Sequence, residues 1–210
     1  MEDDKFSPEK VDEQRLRHDS KYRWNQGKQF IEFGTNDWER LRSTEPYLQD
    51  HLRGIVERLY QRFMEFEPTA KFYLHDDGRF DEESYEHRVH GFVLWLERIF
   101  QWPEDEKYIN YLKNVGEIHT EELGFDHMVV HPFYMGPTFS ILFEEIAGIL
   151  GEQIEDPGRL ARVMTSWQKF FQLQQSLIKQ AYAGSHAEIQ EGKSSSNGSS
   201  SAGVSDSKPT

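Results

Sequence analysis

The sequence predicts an all-α domain. Apolar residues from Tyr47 to Ala181 recur at spacings of three and four, the period of a helix with one buried face. Proline, glycine and aspartate fall between these runs, where helices start and stop. No stretch alternates apolar and polar residues in the way a half-buried strand requires.

The elements follow in order. Thr35 or Asn36 can cap a short helix that runs through Arg42. From Tyr47 to Phe66, Leu52, Ile55, Val56, Leu59, Phe63 and Phe66 form one stripe, and Pro68 ends it. Asp76-Asp77-Gly78 reads as a turn. Asp81 then caps a helix to about Phe100, with Tyr85, Val89, Phe92, Leu96 and Ile99 on one face. Pro103 opens a helix from 104 to Leu123 that stops at Gly124. Pro132 opens the next, carrying Phe139, Leu142, Phe143, Ile146 and Leu150; Pro137 marks either a kink in it or a later start. Asp156-Pro157 opens the last helix, striped by Leu160, Val163, Met164, Trp167, Phe170, Phe171, Leu177, Ile178 and Ala181. About seven helices are expected, in a folded body over residues 30–184. Residues 1–29 balance seven acids with seven bases and show almost no apolar periodicity, so they read as a partly disordered extension. Residues 185–210 are rich in Ser and Gly and read as a disordered tail.

Composition excludes several functions. The 210 residues contain no cysteine, which removes disulfides, thiolate metal sites and cysteine nucleophiles. Twenty-four Lys and Arg against 37 Asp and Glu give a net charge of −13, a poor surface for nucleic acid. No apolar run reaches the roughly 20 residues that span a bilayer, so no membrane association is expected. Met1-Glu2-Asp3-Asp4 is acidic and lacks the apolar core of a signal peptide, which points to the cytoplasm. Hydrophobic residues make up 36% and aromatic residues 14%, so the core is expected to be built largely of rings. No Gly-x-Ser-x-Gly, His-Glu-x-x-His or phosphate-binding loop is present, and no Glu is followed by His three residues on, which removes the carboxylate-bridged di-iron bundle. These absences favour a protein that is not an enzyme.

Two residues stand out. His119 lies four after Val115 and four before Leu123, on the apolar stripe of its helix. A buried imidazole there is either a core histidine bonded to a backbone carbonyl or a ligand. Gly116, one turn earlier on the same side, costs about 1 kcal/mol of helix stability relative to Ala and leaves room for something flat. Tyr60 borders the Leu52–Phe63 stripe, and its phenol needs a partner, either a carbonyl or a bound molecule. His127 and His131 are four apart in the loop before Pro132, with no helix to bring them to one face for zinc.

These residues carry a resemblance. Val115-Gly116-Glu117-Ile118-His119, then Gly124, then Phe133-Tyr134-Met135-Gly136, resembles the F-to-G region of globin-coupled sensors and protoglobins. Ile55-Val56-Glu57-Arg58-Leu59-Tyr60-Gln61-Arg62-Phe63 resembles their B helix, and Leu94-Trp95-Leu96 their E helix. The short helix before residue 44 resembles their extra N-terminal helix. The resemblance covers about residues 30–184 and implies a globin fold, a 3-over-3-like helical sandwich with that extra helix. It implies haem b (iron protoporphyrin IX) between the E and F helices, His119 as the iron ligand, and reversible binding of O2, CO or NO. Gly116 and Val115 would face the porphyrin, Tyr60 would donate a hydrogen bond to the bound gas, and Phe92, Phe72, Tyr134 and Leu142 would line the pocket. Arg88 lies near where other globins place a distal histidine; the resemblance would have it reach a haem propionate or solvent instead. His87 and His90 flank it, and either could make the haem six-coordinate.

The resemblance leaves two alternatives: NO dioxygenation or peroxidase turnover at the same haem, or a haem-free globin-like interaction module. The sensors carry an output domain after the globin, whereas residues beyond 184 here are only Ser/Gly-rich, so a single-domain binder or sensor is expected. A homodimer through the last two helices would follow the sensor pattern, and Trp167, Phe170, Phe171 and Leu177 serve either that interface or the core.

Overall fold

A computed structural model describes residues 11–75, 77–101, 105–120 and 130–196, with backbone alone at 181 and beyond 182. The first two helices are α1 (Glu13–His18) and α2 (Ser20–Phe30), both inside the segment expected to be partly disordered. Asp19 joins them. Its own amide closes α1 on Arg15 and its carboxylate accepts the Tyr22 amide at 2.9 Å, capping α2. Trp24 is 2% exposed and meets the edges of Tyr108 and Phe170. The folded body therefore begins before residue 30. A Cβ on Gly27 would stand 2.9 Å from Leu173 Cδ2, so glycine permits the close approach of α2 to the last helix.

The third helix, α3 (Thr35–Arg42), is capped by Gly34 rather than by Thr35 or Asn36; Asp37 Oδ2 accepts the Gly34 amide at 3.0 Å. The expected helix from Tyr47 to Phe66 is broken. α4 (Glu45–Leu48) runs through a 3-10 turn at Gln49–His51 into α5 (Leu52–Glu65). Pro68 opens a further turn of helix, α6 (Glu67–Ala70), where its missing N–H is harmless. A 3-10 turn at Lys71–Tyr73 follows. The turn at 77–78 places Gly78 at φ +81°, and Asp81 Oδ1 accepts the Ser84 amide to cap α7 (Glu82–Gln101).

α8 (Glu106–Glu117) is capped by Asp105, whose carboxylate accepts the Tyr108 amide at 2.7 Å. It stops six residues before the expected end at Leu123, which leaves His119 in the turn after it. Pro103, Leu123 and Gly124 lie outside the described residues. A 3-10 turn at Pro132–Tyr134 leads into α9 (Met135–Gln153), so Pro137 sits in a first turn and kinks nothing. α10 (Pro157–Ser196) extends past the expected end near 184, into the stretch read as tail; residues 197–210 lie outside the described residues.

α10 is the centre of the molecule and packs on α2, α3, α8 and α9, while α5 packs on α7 and α9. Trp167, Phe170, Phe171 and Leu177 are all at most 2% exposed within the single chain. This stripe is core, and it offers no face to a second copy. Asp37, 5% exposed, ties α3 to α10 by accepting the Ser166 hydroxyl at 2.7 Å. The described residues form no strand beyond an isolated bridge between Leu74 and Phe80, and none of their helices is long and apolar enough to cross a membrane.

Candidate functional site

His119 is held by the turn that ends α8. Its amide donates to Gly116 O at 3.2 Å, and its carbonyl accepts the Val130 amide at 3.2 Å. The ring Nδ1 lies 2.6 Å from Val115 O. A carbonyl can only accept, so Nδ1 carries the proton and the Nε2 lone pair remains. No described residue bonds Nε2. Burial pushes the imidazole pKa down, against the Val115 bond and with the help of the Arg88 charge, so the ring is neutral at pH 7. Both readings of His119 thus meet in one geometry: a carbonyl-bonded histidine with one nitrogen still available.

Tyr60 comes from the buried face of α5 and is 7% exposed. Its ring stands edge-on to Phe63, Tyr73, Tyr85 and Phe92 at centroid distances of 5.5 to 6.1 Å. No hydrogen bond to its hydroxyl forms among the described residues. Burial raises the phenol pKa, only partly offset by Arg88, so Tyr60 is an O–H donor at neutral pH.

Arg88 on α7 joins the two. Its Nη1 donates to Phe72 O, and its guanidinium lies 5.2 Å from the centre of the Tyr73 ring. Its charge acts on Tyr60, Tyr73 and His119 alike. Phe92, half-buried on the same helix, packs between Tyr60 and Trp95. His87 and His90 are exposed on α7, while Val89 between them is fully buried.

The remaining expected residues divide. Gly116 is buried and Val115 half-buried on α8. Leu142 is fully buried in α9 as part of the general core. Phe72 and Tyr134 line a cleft of about 390 Å3 together with Pro68, Lys71, His131 and Phe133. Tyr73, Lys71 and His131 carry no periodicity or motif signal for this site; only tertiary contact reveals them. His127 lies outside the described residues, and no group of three metal-ligating side chains occurs among those described.

The all-helical sandwich is a globin-type fold. The protoglobin family model matches residues 20–188, and the chain belongs to that family. The match begins within α2, in agreement with a folded body that starts before residue 30. Among solved structures, the globin domain of a Geobacter sulfurreducens globin-coupled sensor has the same fold. Its TM-score is 0.60 at 18% identity, over 75% of this chain and 96% of that one. No curated protein matches the sequence.

Proposed function

We propose that this protein binds haem through His119 and reversibly binds a diatomic gas (O2, CO or NO). The observation that carries the reading is the His119 ring: neutral, half-buried, oriented by Val115 O through Nδ1, and left with a free Nε2 lone pair. Haem iron supplies the gas-binding chemistry when present. The chain's own residues orient the imidazole, exclude water with Tyr60, Tyr73 and Phe92, and present the Tyr60 hydroxyl as an unused donor. Haem b is the cofactor such a set fits, because no cysteine exists to attach a porphyrin covalently. With His87 and His90 exposed, a five-coordinate ferrous state is expected.

Absorption spectra of the purified protein, ferric, ferrous, and ferrous with O2 or CO, test this. A Soret band that shifts with each gas is expected, and His119→Ala should fail to retain haem. No Soret band after adding haem, or normal retention in His119→Ala, would reject the assignment.

A further inference from the structure

The cleft beside the site carries more than its expected residues. One wall is α6 and the 3-10 turn after it (Pro68, Lys71, Phe72); the other is the segment leading into α9 (His131, Phe133, Tyr134). Both walls are fastened to the site. The Phe72 carbonyl accepts from Arg88, and the Val130 amide, one residue before His131, donates to His119 O at 3.2 Å. The cleft therefore lies beside residues bonded to Arg88 and to His119.

Its chemistry is selective. Four of the six lining residues are apolar or aromatic, with Phe133 68% exposed, and the other two are Lys71 and His131. Lys71 Nζ lies 5.1 Å above the Phe72 ring and pairs with no carboxylate among the described residues. His131 Nδ1 accepts the Phe133 amide at 3.2 Å, so the neutral ring keeps its proton on Nε2 as a donor. No acid among the described residues lines the cleft, in a chain of net charge −13. Aromatic walls with two donors at the rim suit a flat apolar molecule that ends in carboxylates. Arg88 is already engaged with Phe72 O and the Tyr73 ring.

We infer that Lys71 and His131 hold the two propionates of the haem at the mouth of this cleft, an assignment that rests on the haem reading above. The test is the rate of haem loss to an excess of haem-free myoglobin. It is measured with haem and with its dimethyl ester, in wild type, Lys71→Arg, Lys71→Glu and the Lys71→Ala/His131→Ala pair. Lys71→Glu is expected to speed haem loss by about tenfold or more, as loss of a charged hydrogen bond implies, with Lys71→Arg near wild type. The wild type should lose the ester faster than haem, and the double alanine variant should lose both at one rate. Ferrous spectra should stay five-coordinate throughout, which separates propionate contacts from loss of His119 ligation. Unchanged rates in Lys71→Glu, or ester discrimination that persists in the double variant, would overturn the assignment while the haem reading stands. A wild type that takes up no haem overturns both.

Discussion

Tyr60 owes its importance to what it lacks. Four rings surround it, burial keeps it protonated, and its hydroxyl spends no bond on a described neighbour. A donor held in a ring cluster discriminates between ligands by how much negative charge they present. Tyr60→Phe is therefore expected to speed O2 release about tenfold or more while leaving CO release nearly unchanged. Stopped-flow displacement of each gas measures this, and equal effects on both gases would remove Tyr60 as the donor. The sequence singled out His119 and Tyr60 because each falls on or beside an apolar pattern, where a polar group needs a reason. Arg88's central place was only half legible. Its position in the chain placed it near the site, but its bond to the Phe72 carbonyl and its lie against Tyr73 join segments that periodicity cannot relate.

Among the elements, the long apolar stripes of α5, α7, α9 and α10 were readable, because burial on one face imposes the helical period directly. α2 was not. Its buried face is Ser20 and Trp24, with Gly27 close to Leu173, so small size and a single ring replace an aliphatic stripe. The end of α8 was also misplaced, since Leu123 continues the stripe on paper while the chain turns at Ile118. Local chemistry still marks α2 at Asp19. The Tyr22 amide, and then Arg15, hold this carboxyl below the usual carboxylate range. A depressed pKa means that the cap stabilises the fold above that range and is lost as pH falls through the folded value. Asp19→Ala is expected to cost about 1 kcal/mol at pH 7. Asp19→Asn should keep most of the cap and lose its acid dependence. Thermal melts of both variants at pH 7 and below pH 4 provide the check.

For the whole molecule, the single chain already covers the aromatic stripe of α10, so association, where it occurs, must use other surfaces. The N-terminal helices belong to the same body as the site. Trp24 touches Tyr108 on α8, and α8 leads directly into the His119 turn. α10 meets α2, α3, α8 and α9 along its length, with Phe170 touching Trp24, Phe33, Trp38 and Tyr108. α2, α3, α8 and α9 thus share one packing partner. Trp24→Ala should lower stability by about 3–5 kcal/mol. It should do so by moving one transition, seen at the same temperature by far-UV dichroism and tryptophan fluorescence, with no separate early step for α2. Hydrogen exchange should then find the amides of α2, near the start of the chain, opening with those of α10, near its end, so that the polypeptide melts as one cooperative unit.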